Sequence, residues 1–151
     1  MADPFAELLD YIVRDLDITD AQKDVDLNAP ADGDAADIDV QKQHLAEAAR
    51  QRARDLYPPF RAGLILAFEA QGVGKPEIRL DDREPEQNAI ADALITYLVR
   101  FDLADSRSEE TESGHYDYFI TVEWDKVYRT AQAAGVDLPA ALARAATIPG
   151  G

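Results

Sequence analysis

The residues of this chain whose types suit acid–base or metal chemistry are its two histidines, His44 and His115, and the carboxylates beside them. His44-Leu45-Ala46-Glu47 sets an imidazole and a carboxylate three residues apart on one helix face. Carboxylate metal sites in helix bundles use such a pair, but they need a second one on a facing helix. His115-Tyr116-Asp117 alternates as a strand does, so the imidazole and the carboxylate face one side and can meet one ligand. Lys126 has the setting of a nuclease-type carboxylate-x-lysine element, except that Trp124 stands in the carboxylate's place. Gly72-Val73-Gly74-Lys75-Pro76 has the lysine of a phosphate loop. However, Glu69 occupies the first glycine position and Pro76 the magnesium-binding hydroxyl position, so a helix C-cap and turn is the better reading. Asp24-Val25-Asp26-Leu27-Asn28 opens like a calcium loop, with Asp32 at the ninth position. Ala29 and Ala35 then replace the glycine and the bidentate carboxylate that such a loop requires. With no serine or threonine in a nucleophile context and no cysteine at all, neither a catalytic residue nor a metal or cofactor site is assigned.

Positive charge, by contrast, is concentrated. The chain carries 30 Asp and Glu against 15 Lys and Arg, a formal net charge of −15 over 151 residues. Between Gln41 and Arg61, Lys42, Arg50, Arg52, Arg54 and Arg61 oppose only Glu47 and Asp55, so this stretch sums to +3 and the remainder to −18. Arg50 and Arg54 fall within about 40° of each other on a helix. A guanidinium is a planar fork that matches carboxylate and phosphate, so these five residues form a candidate site for an anionic partner or nucleic acid. The competing reading pairs them with the acidic stretch upstream or leaves them as a solvated helix face.

The acidic bias also runs within each sign, with 20 Asp to 10 Glu and 11 Arg to 4 Lys. Like charges this numerous oppose compaction over a Debye length of about 8–10 Å in ordinary buffer, shrinking to about 3 Å at molar salt. Such a surface fits the cytoplasm of a salt-accumulating, typically archaeal, halophile; an ordinary high-GC bacterial or phage protein is the alternative. The N-terminus lacks the basic flank and apolar run of a secretory signal, and Gly63-Leu64-Ile65-Leu66-Ala67-Phe68 is far short of a membrane span. A cytoplasmic protein with no membrane partner is expected, or a virion component.

The elements that must position these residues follow from periodicity. Asp3 and Pro4 open a helix over residues 1–16 with Phe5, Leu8, Leu9, Ile12 and Leu16 on one face. Residues 17–39, rich in Asp with few large apolar side chains, read as a solvated acidic connector with at most a short helical turn. The compact core then spans 40–148. Helices are predicted from Val40 to Leu56, where Tyr57-Pro58-Pro59 is a stop signal, from Pro59 to Gly72, and from Pro85 along Ile90, Leu94, Tyr97 and Phe101. Glu77-Ile78-Arg79-Leu80 alternates like an edge strand. Leu103 to Ser106 and His115 to Val122 form the arms of a hairpin whose polar turn runs from Glu109 to Gly114. On the second arm His115, Asp117 and Phe119 share a face and make a second candidate recognition surface. Helices carrying Trp124, Val127, Tyr128 and Ala131, then Leu138, Ala141 and Leu142, follow, the last capped by Asp137. The expected class is α+β, mainly helical, with five to six helices and a C-terminal β-hairpin.

Helix, two-stranded hairpin with a polar tip, and returning helix over roughly residues 90–135 resembles a winged-helix domain. That resemblance implies binding to nucleic acid or docking to protein through the same face. The stretch departs from the family between Gly72 and Pro85, where a strand and a loop stand in place of two short helices joined by a tight turn. The expected function is a non-catalytic binding or assembly module for nucleic acid or a protein partner, with homo-oligomers allowed. The alternative is a structural subunit of a virus or multi-subunit complex. A small metal-dependent enzyme using His44 and His115 ranks last.

Overall fold

Asp3 acts as N-cap, its Oδ1 accepting from the backbone N–H groups of Phe5 and Ala6 at 3.0 and 3.4 Å. Helix α1 (Pro4–Tyr11) passes without a break into a π-helical segment (Ile12–Ile18) and then α2 (Thr19–Asn28). This computed structural model describes residues 3–28, 35–112 and 114–147. The acidic connector expected over 17–39 is therefore helical as far as Asn28 and again from Ala35; residues 29–34 lie outside the described chain. Ile18 and Val25, seven residues apart, are buried and anchor one face. Ion pairs hold the acidic side: Asp17 meets Arg100 at 2.6 Å and Asp26 meets Lys42 at 2.7 Å. Density of Asp had masked those two anchors in the sequence.

Helix α3 is one continuous helix, Ala35–Gly72, where the proline pair predicts two. Pro58 and Pro59 each lack the N–H that would bond the carbonyl four residues back. Those carbonyls belong to Arg54 and Asp55, both exposed, so solvent can satisfy them. On either side of the prolines, Ala46 and Ala49 on one arm and Phe60, Leu64 and Ala67 on the other join the same core. Packing of both halves against a common partner outweighs the local preference of Tyr57 to leave the helical region.

Strand β1 (Glu77–Asp81), helix α4 (Pro85–Tyr97), a 3₁₀ turn (Val99–Phe101), and strands β2 (Ala104–Glu112) and β3 (His115–Val122) follow. The antiparallel sheet has the order β1-β3-β2, so the edge-strand reading of β1 holds. The hairpin is longer than its sequence suggests. Pairing continues past a register shift to Glu112 opposite His115, and Glu109 and Glu110 belong to the ladder rather than to the turn. Ile78, Leu80, Ile120 and Val122 are buried on one sheet face. On α4, Ile90, Ala93, Leu94, Tyr97 and, beyond its end, Leu98 complete that core. Gly63 of α3 lets α4 approach: a Cβ there would lie 2.9 Å from Leu94 Cγ and 3.0 Å from Ile90 Cγ2.

Helix α5 (Trp124–Ala133) ends at Gly135, whose φ of +77° only glycine adopts freely. Asp137 then accepts from the N–H of Ala140 at 3.3 Å and opens α6 (Leu138–Thr147). The class is thus α+β and mainly helical, with five helical runs among the described residues around a three-stranded sheet. Between β1 and β2 there is one α-helix and a 3₁₀ turn, not the helix pair of a winged helix. No helix among the described residues is long and apolar enough to cross a membrane.

Candidate binding groove

Helix α3 spaces Arg50, Arg54, Tyr57 and Arg61 at i, i+4, i+7 and i+11, within about 60° of one another and over roughly 16 Å of axis. Helix α1 runs beside this stripe. Between them lies a groove of about 310 Å³, lined by Ala6, Leu9 and Asp10 from α1, by Val13 from the π-helical segment that continues it, and by Arg50, Ala53, Arg54 and Tyr57 from α3. The floor is aliphatic. The α3 rim carries two guanidinium groups, whereas Asp10 on the opposite rim is paired with Arg14 at 3.7 Å.

The predicted basic residues separate here into three kinds. Lys42 is taken up by Asp26, as the pairing reading anticipates. Arg52 lies about 200° round the helix from Arg50 and does not share the groove. Its charge is felt instead by the buried Tyr97, whose phenol burial pushes up to about 12. Arg50, Arg54 and Arg61 remain on one stripe. Arg54 donates to Gln51 Oε1 at 2.7 Å, and Arg61 stacks over the Phe5 ring at 5.1 Å. Among the described residues, none of Arg50, Arg52, Arg54 and Arg61 has a carboxylate within ion-pair distance. Arg14, Arg79, Arg83, Arg100 and Arg107 all do.

Tyr57 completes the groove. Its hydroxyl donates to Asp3 Oδ2, which ties α3 to the start of α1, and its side chain lines the groove. Burial, reinforced by that carboxylate, pushes the phenol up to about 12. Sequence reasoning treated Tyr57 only as the residue before a proline, although its seven-residue spacing from Arg50 already put it on the arginine stripe.

The hairpin surface is arranged differently. Asp117 is buried, and its Oδ2 accepts from Arg79 Nε at 2.8 Å and Nη2 at 2.6 Å, so it is not available for recognition as expected. Phe119 is roofed by Arg107, 4.0 Å from the ring centre, and His115 Nδ1 lies 3.3 Å from Asp82. Across the sheet, Arg79, Phe119 and Arg107 form one row, flanked by Glu77, Thr121 and Asp105 on one side and Asp81, Asp117 and Glu109 on the other. Arg107 binds Glu77 and Glu109; Arg83 binds Asp81 and Glu112. Hydrogen bonds from Arg83 hold the Asp81 carboxyl down to about 2. Every polar partner on this face is thus found within the sheet and its adjoining turn.

Among the described residues, no group of three or more His, Cys, Asp or Glu side chains is placed to hold a metal. Asp24 and Asp26 sit on α2 rather than on a loop, and Asp32 falls outside the described chain. His44 and Glu47 are both exposed on α3. No protein-family model matches this chain, and no curated protein or solved structure matches it either.

Proposed function

We propose that this chain is a non-catalytic binding or assembly module whose α1–α3 groove docks a protein partner. The observation that carries the proposal is the segregation of charge. In a chain with twice as many acidic as basic groups, two guanidinium groups one helical turn apart beside a solvent-open aliphatic groove have no carboxylate within ion-pair distance, while Arg14, Arg79, Arg83, Arg100 and Arg107 are each paired. Surface arginines without partners cost little, yet in an acidic field of −15 they are attracted to any carboxylate within reach. A floor of Leu9, Val13 and Ala53 suits protein side chains better than a phosphate backbone, which carries no apolar face to bury. The single helix between β1 and β2 also offers no helix pair for a DNA groove. The module acts in the cytoplasm of a salt-accumulating cell, or in a virion if its partner is a particle protein.

The test places a photocrosslinking side chain at position 54 of the full chain in its native host. A discrete protein adduct, lost when Arg50→Glu is added and competed by excess wild type, supports docking at the groove. Absence of any such adduct overturns it. So does a gel shift with random duplex DNA, in dilute or molar KCl, that Arg50→Glu/Arg54→Glu abolishes.

A further inference from the structure

Resting on that docking reading, we infer that the occupant of the groove is an acidic amphipathic helix of the partner, seated with its carboxylates against Arg50 and Arg54. Three features specify it. The groove is bounded by helical chain on both sides along its length, with Leu9 on α1 and Val13 on the π-helical continuation both facing it, so the shape left between the two sides suits a third helix. The floor is aliphatic, with Leu9 and Val13 nearly fully buried and Ala53 half-buried, so anchors on the partner must be apolar. The two rims differ in sign: Arg50 and Arg54 are open, while Asp10 is already held by Arg14. Arg50 and Arg54 stand one helical turn apart, the spacing of carboxylates at i and i+4 on a helix lying alongside. A partner helix is therefore oriented about its own axis: leucine-like residues down, carboxylates toward α3, and no acidic residue toward α1.

Other places in the molecule carry less. The sheet face around Phe119 has both of its row arginines bound to neighbouring carboxylates. The polar pocket beside Arg100 has that residue engaged by Asp17 and Asp20. The wider depression between α3, α4 and α6, about 590 Å³, combines Arg61 with Glu69 and Glu86 on its rim and selects no charge.

The experiment titrates the isotope-labelled full chain with a synthetic alanine-based helix that has leucines on one face and glutamates flanking them. Its lysine counterpart and single-stranded oligo-dT are titrated in parallel. The acidic peptide is expected to shift the amides of Leu9, Val13, Ala53 and Tyr57. Arg50→Glu/Arg54→Glu should weaken it at least tenfold and let the lysine peptide bind in its place. Arg52→Glu, on the other side of α3, should leave affinity within twofold. Both substituted sites are exposed, so folding is unaffected; the unchanged amide spectrum of the distant sheet verifies this.

The inference is overturned if the acidic peptide shifts nothing, if the lysine peptide binds wild type equally well, or if Arg52→Glu weakens binding as much as the groove variant. Oligo-dT displacing the peptide from the same amides overturns it too, as does a self-association that fills the groove with a second copy. A position-54 adduct in the host without peptide binding would remove the acidic helix while leaving the docking module standing.

Discussion

At the scale of single residues, tyrosine shows how this chain uses its few amphipathic side chains. Tyr57 and Tyr97 both lie on the seam between α3 and its neighbours, and burial raises each phenol to about 12 from the ordinary 10.0. Tyr57 also donates to Asp3, which a phenolate cannot do. A raised pKa in the folded state means that the neutral ring contributes stability fully below pH 10. That contribution is then lost as pH rises from 10 through about 12. Absorbance titration of the native protein is expected to show Tyr57 and Tyr97 ionising late, with Tyr57→Phe removing one of the late phenols. A single midpoint near 10 for all six tyrosines would refute this packing.

At the scale of elements, the contact between α3 and α4 depends on the absence of one side chain. Gly63 within a helix would ordinarily gain up to about 1 kcal/mol on replacement by alanine. Here the new methyl would sit 2.9 Å from Leu94 Cγ, and Leu94 is fully enclosed, so the helices must separate. Overpacking wins: Gly63→Ala is expected to destabilise by about 1–3 kcal/mol, read as a lower urea midpoint at unchanged slope. The role of Gly63 is not visible in sequence, since it opens an apolar run that reads simply as core. What was legible had local causes: the Asp3 and Asp137 caps, the period of α4, and the alternation of β1 and β3. What was not legible depended on distant partners. Pro58 and Pro59 predicted a break, and only the shared core of the two α3 arms overrides it. The connector looked solvated because Ile18 and Val25 are sparse and because Arg100, the partner of Asp17, lies 83 positions away. The arginine edge was readable as charge on a helix, but its sorting into paired Lys42, rear-facing Arg52 and open Arg50 and Arg54 required α1 and α2 to be in place.

At the scale of the whole molecule, two opposing electrostatic effects respond to salt. Screening weakens the ion pairs, most of which join exposed partners worth about 0–1 kcal/mol each. It also weakens the mutual repulsion of carboxylates that outnumber cations 30 to 15. Even if every cation is paired, 15 negative charges remain unbalanced on 151 residues, so the repulsive term is the larger. The melting temperature is therefore expected to rise as KCl is added to dilute buffer. The shape of that rise identifies its cause. Screening acts mainly while the Debye length falls from about 10 Å at 0.1 M toward about 3 Å at 1 M, and then saturates. Exclusion of salt from apolar surface instead keeps strengthening at higher concentration. A thermal melt series in KCl should thus climb steeply at first and flatten near molar salt. A melting temperature already maximal in dilute buffer, or one climbing linearly throughout, would detach the carboxylate excess from any adaptation to brine. The carboxylate-free arginines of the α1–α3 groove would keep their geometry in that case, but the acidic surroundings would no longer give weight to their lack of a carboxylate partner.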